Sequence, residues 1–201
     1  MRRAIRAAVA VMLASLFVAS CGGDGDKGTA ERESIAGSFV GKAAGSDAYV
    51  AVVVGANGDA LAYVTDGAWS VDWLLGTRTG RTAVLGNEGG ATLDVQFERA
   101  TVTGSFKRPQ SPALAFTARR GREPAGMYRA IHDFADGRYV GGWVVLADGT
   151  ERGAVRRYET PLAPGEVDAT TFRPGDATFT VPGGELRPEL VRPSSTLSLP
   201  N

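Results

Sequence analysis

His132 is the only histidine in the 201 residues and Cys21 the only cysteine, so few residues are available for familiar catalytic chemistry. A Ser-His-Asp triad or a multi-histidine metal site would rest on His132 alone. Its neighbour Asp133 points to the opposite face if the segment is a strand. No Cys/His cluster has zinc spacing. The carboxylates Asp47, Asp59, Asp66, Asp72 and Asp94 fall mostly at turns or on polar faces, where Asp serves by bonding nearby backbone. A glycosidase pair would need two of them to converge, with one pKa raised. Asn57-Gly-Asp59 is a fragment of a calcium loop without the remaining ligands. Gly22-Gly-Asp-Gly25 and Gly89-Gly90 lack the Gly-Lys-Ser/Thr signature and strand-to-helix setting of a phosphate loop. The expectation is a protein that is not an enzyme, with no catalytic residue, no cofactor and no metal.

Two groups of side chains suit binding instead. Trp69, Trp73 and Trp143, with Tyr49, Tyr63, Tyr128 and Tyr139, fit the wall of a small-molecule cup. At strand spacing they equally fit a core, with indole N–H groups near its ends. The three tryptophans are the candidate ligand-lining residues. Arg119-Arg-Gly-Arg122, and Arg152 with Arg156-Arg157, are basic clusters. They suit anionic lipid or cell-wall polymer, or else a solvated loop and the outward side of an edge strand.

The elements that must carry these residues begin with a positive stretch, Met1-Arg-Arg-Ala-Ile-Arg6, followed by apolar Ala7 to Ser20. The apolar run is short for a bilayer span and reads as a secretory signal. It ends in Val18-Ala19-Ser20-Cys21, which resembles the lipobox of bacterial lipoproteins, with Val18 where Leu is commoner. The resemblance covers residues 1–21. It implies cleavage before Cys21, lipidation of its thiol, and a location on the outer face of the cell membrane. Each buried acyl methylene would contribute about 0.8 kcal/mol to that attachment. Gly22 to Ser34 holds no large apolar residue and reads as a flexible tether. Without Arg2, Arg3 and Arg6 the chain has 19 basic against 22 acidic groups, a net of −3, which gives no footprint for nucleic acid.

From Ile35 the pattern is short strands between turns. Ala48 to Val54 is apolar at every position, as in a strand covered on both faces. Asn57-Gly58 tolerates the positive φ of the turn that follows. Leu93, Val95 and Phe97, then Val102, Gly104 and Phe106, alternate with polar residues, as in antiparallel strands with one wet side. The fold expected is all-β: an antiparallel meander closing into a small barrel or curved sandwich, since open edges invite aggregation. The organisation expected is a signal helix over 1–20, a tether over 21–34, a barrel-like domain over 35–158 and a Pro-rich extension over 159–201. The extension is expected to hold one edge strand at Ala177–Val181 and to run loose beyond Gly183.

Asp47 to Val54, Leu61 to Gly67, Trp73 with Gly76, and Gly142 to Leu146 also resemble a β module of secreted and membrane-attached proteins of high-GC Gram-positive bacteria. The resemblance spans roughly 36–155 and implies no activity. The function expected is that of a lipid-anchored domain binding a small ligand or protein at the cell envelope. The rival readings are a carboxylate-dependent hydrolase of cell-wall material and an accessory or inhibitor subunit of a membrane partner.

Overall fold

The computed structural model describes residues 35–68, 70–159 and 178–200, together with the backbone of 163–169. The signal segment, Cys21, the tether and Trp69 lie outside these residues. Every regular element among the described residues is a strand.

Eight strands form a closed barrel: β1 (Gly37–Ala43), β2 (Tyr49–Val54), β3 (Asp59–Thr65), β4 (Val71–Thr79), β5 (Thr82–Gly86), β6 (Thr92–Phe97), β7 (Thr101–Lys107) and β8 (Leu114–Arg120). Each pairs antiparallel with the next, and β8 returns to β1 with Phe116 opposite Ala43 and Arg120 opposite Phe39. The expected meander therefore closes, which removes its free edges. The turn after β2 uses Gly58 at φ +92°, with Gly55 N–H donating to Asp59 O at 2.9 Å.

Alternation decides what fills the barrel. Phe39, Leu74, Leu85, Leu93, Phe97 and Phe106 are buried together inside it, beside small residues such as Ala60, Ala62 and Ala118. Gly104 also matters there: a Cβ on it would stand 2.7 Å from the Phe116 ring. The interior is thus a packed core rather than a cup.

Both faces of β2 are covered, as its apolar run requires. Val50, Val52 and Val54 face the barrel core. Tyr49, Ala51 and Val53 pack instead with Met127, Val140 and Val144, which belong to a second sheet. That sheet and the hairpin beside it use β9 (Gly126–Phe134), β10 (Gly137–Val145), β11 (Glu151–Glu159), β12 (Ala163–Ala169), β13 (Phe179–Val181), β14 (Gly184–Leu186) and β15 (Glu189–Leu190). The sheet order is β12-β11-β10-β9-β15, and β13 pairs with β14. Its other face has a third core, where Val181 and Leu186 join Tyr139, Trp143 and Val155.

Two expectations change here. The barrel ends at Arg120, and the strands from Gly126 to Glu159 build a separate sheet over its apolar outer wall. Closure at β8 leaves no edge for them to extend. The tail beyond Gly183 is not loose: Leu186 is buried, and β15 hydrogen-bonds to β9. Its prolines confine rather than release it. β15 is a two-residue strand between Pro188 and Pro193 at the sheet edge, the position that proline tolerates.

Candidate functional site

Among the described residues, the candidate tryptophans Trp73 and Trp143 lie in different cores. Trp73 lies between barrel and second sheet, its ring 4.3 Å from that of Tyr63. Both rings rest on the backbone of β10 at Gly142, where a Cβ would stand 2.6 Å from Tyr63 Cζ and from Trp73 Cζ2. Trp143 is fully buried on the opposite face of β10. Its indole covers Gly141 and Gly153, where added Cβ atoms would stand 2.2 and 2.1 Å from it. Alternation sends Gly141 and Gly142 to opposite faces, so each seats an aromatic group on its own side. Neither tryptophan enters the barrel core.

Burial in this seam pushes the Tyr63 hydroxyl far above the ordinary phenol range. The Thr65 side chain and Ala154 backbone offset this only in part, and neither completes a hydrogen bond. Trp73 Nε1 is likewise buried without a hydrogen-bond partner.

The polar residues fall into structural roles. His132 is exposed on β9, 4.3 Å from the Phe134 ring, and Asp133 stands 3.6 Å from Arg138 Nε. Asp66 Oδ1 accepts from the Ala68 and Ser70 N–H groups. Asp59 accepts from Asn57 Nδ2 at 2.6 Å. Asp72 accepts from Arg108 Nε at 2.7 Å. Among the described residues no group of three or more His, Cys, Asp or Glu side chains has a metal-holding arrangement. β11 is not an edge strand, since β12 pairs along Ala154–Glu159, and Arg152 is engaged before that stretch begins. It donates to Asp66 O at 3.0 Å, and its Cζ lies 5.2 Å from the centre of the Tyr49 ring.

Tyr49 sits between two cations, with Lys42 Nζ 4.9 Å from its ring centre on β1 and Arg152 on β11. Its hydroxyl donates to Thr150 Oγ1 at 3.2 Å. Burial raises its pKa, but the Thr150 hydroxyl, Lys42 and Arg152 together outweigh burial and bring it below the ordinary phenol value.

One concavity draws on both halves of the fold. It lies where the start of β1 and the end of β8 meet the segment after β15. Its volume of about 440 Å³ falls within the roughly 300–1,000 Å³ of small-molecule sites. Ala36, Gly37, Gly121 and Ala125 leave the space; Ser38, Arg120, Glu123 and Arg192 supply the polar groups. Local hydrogen bonds fix these residues. Gly121 N–H donates to Ser38 O at 2.8 Å, and Val191 N–H to Met127 O at 2.8 Å. Arg120 Nη1 donates to Ala36 O at 2.8 Å, and its Cζ lies 4.9 Å from the Phe39 ring centre. Arg192 Nη2 donates to Glu123 Oε1 at 2.8 Å, which holds Arg192 more firmly protonated. Ser38 Oγ is buried with no hydrogen-bond partner.

The Arg119–Arg122 cluster marked one wall of this cleft in the sequence. Ser38 and Arg192 carried no such mark, because they are 154 positions apart and only the return of the tail to β9 brings them to one place. Comparison with protein-family models, with curated proteins and with solved structures finds no match to this chain. What it can do is therefore argued from its own residues.

Proposed function

We propose that this protein is an extracytoplasmic lipoprotein, held to the outer face of the cell membrane through Cys21, whose β-body binds a ligand or protein of the cell envelope. The observation that carries the reading is the order of three features in the first 21 residues: the arginines at 2, 3 and 6, the apolar run to Ser20, and Val-Ala-Ser-Cys at its end. A basic start and a short apolar core suit export, and small residues before a lone cysteine suit lipid transfer to its thiol. The body supports binding over catalysis. Its histidine and most of the singled-out carboxylates have structural neighbours, while the cleft beside Arg120 gives an envelope ligand a concave surface to meet. Membrane fractionation tests the attachment. The wild-type chain is expected to stay with membranes in high salt and leave only in detergent, and Cys21→Ser to leave the membrane fraction. A Cys21→Ser chain retained as firmly as wild type would contradict the reading.

A further inference from the structure

We propose that Asn57 is a modification site. Its side-chain amide is lost by spontaneous deamidation, which the folded turn between β2 and β3 restrains and which opening of that turn releases. This stands apart from the attachment at Cys21 and from the cleft.

Asn57-Gly58 is the only Asn-Gly pair in the chain. Asn57 is exposed at the tip of the turn, so water reaches it. In the reaction the Gly58 backbone nitrogen attacks Asn57 Cγ. The new N–C bond forms as the bond from Cγ to Nδ2 breaks, and ammonia leaves with the proton from the Gly58 nitrogen. Water then opens the five-membered imide at either carbonyl, which yields aspartate or isoaspartate. Glycine at 58 matters because no Cβ crowds the attacking nitrogen or limits its backbone.

The folded turn holds both reacting groups away from this path. Asn57 Oδ1 accepts from Asp59 N–H at 3.1 Å, and Nδ2 donates to Asp59 Oδ2 at 2.6 Å. The side chain is folded back over Gly55, where a Cβ would stand 2.7 Å from Oδ1. Gly58 N–H donates to Gly55 O at 3.1 Å, and Gly58 O accepts from Arg78 N–H at 2.8 Å. Ring closure must release the Gly58 nitrogen from Gly55 and the Asn57 amide from Asp59. Loss of two such hydrogen bonds slows closure about tenfold or more.

The same contacts make the product a poor fit. An aspartate at 57 sets a second carboxylate beside Asp59 where Nδ2 had donated. Isoaspartate adds a methylene to the main chain inside the turn that fixes Val54 opposite Ala60. Asn87 serves as an internal control, because Glu88 follows it and its Oδ1 accepts from Ala91 N–H at 3.0 Å.

The experiment incubates the full chain at mildly alkaline pH, either folded or in concentrated urea. Peptide mass spectrometry follows amide loss, and chromatography separates the aspartate and isoaspartate forms. Loss is expected at Asn57 ahead of Asn87, and at least about tenfold faster in urea than in the folded protein. Asp59→Ala should speed the reaction in the folded protein and leave the rate in urea unchanged, with tryptophan fluorescence reporting that the variant is folded. Gly58→Ala should slow the reaction in urea, where the fold plays no part. No amide loss from Asn57 in urea, equal rates in the folded and unfolded chain, or a folded Asp59→Ala protein that reacts no faster than wild type would overturn the proposal.

Discussion

Trp73 and Gly142 meet across the seam between barrel and second sheet, with space for the indole only because residue 142 has no side chain. A Cβ there would stand 2.6 Å from Trp73 and equally close to Tyr63. The two rings are themselves in contact and buried, so neither can swing clear. Gly142→Ala is expected to destabilise the fold by about 1–3 kcal/mol, the usual cost of overpacking a filled core. Denaturant unfolding followed by tryptophan fluorescence measures this. An unchanged midpoint would mean that the seam is not packed as described.

Leu186 tests whether the tail is structural. It is 1% exposed and packs in the core that contains Trp143. Leu186→Ala should cost about 2–5 kcal/mol, as for other buried leucines. A loss of only a few tenths of a kcal/mol in the same unfolding assay would show that the tail is not part of the cooperative unit.

Much of the barrel was legible in the sequence. Leu93, Val95 and Phe97 alternate with polar residues and do face its core. The unbroken apolar run of β2 announced cover on both sides, although not that the second cover would be another sheet. The tryptophans were harder to place. Period two assigns Trp143 to one face of β10 but cannot say which face meets the barrel, and nothing local marks Gly141, Gly142 and Gly153 as seats for rings. The cleft was the least legible feature. Its walls come from residues 36–38, 120–125 and 190–194, and only strand pairing joins them. Proline spacing also misled, because Pro188 and Pro193 suit a sheet edge as well as they suit a loose tail.

Asp72 and Arg108 join the start of β4 to the loop after β7, with Asn87 Nδ2 a further 3.4 Å donor to the same carboxylate. The Asp72 side chain is 13% exposed and that of Arg108 33%. The pair should therefore couple by about 1–2 kcal/mol in a double-mutant cycle of Asp72→Ala and Arg108→Ala, more than an exposed pair contributes. A coupling near zero would contradict this.

Tyr49 and Tyr63 should titrate on opposite sides of the ordinary phenol pKa of 10. Tyr49 ionises early, chiefly because the Thr150 hydroxyl, Lys42 and Arg152 outweigh its burial. Between its folded pKa and 10 the unfolded chain holds more protons at this site, so the Tyr49 contribution to stability increases with pH and is lost as pH falls through the folded pKa. Tyr63 acts in the opposite sense. Burial raises its pKa, so its contribution is complete below 10 and declines as pH rises past it. Ultraviolet titration of tyrosinate should show one early phenol in wild type and its later ionisation in Lys42→Met. Identical early transitions in the two proteins would exclude this role for Lys42.

Attachment through Cys21 is tested most directly by the mass of the protein as extracted from cell membranes. The chain is expected to start at Cys21 and to carry the added mass of a diacylglyceryl group on that residue, located by fragmentation of the N-terminal peptide. A chain that starts at another residue, or that starts at Cys21 with a free thiol, would contradict the proposed anchorage.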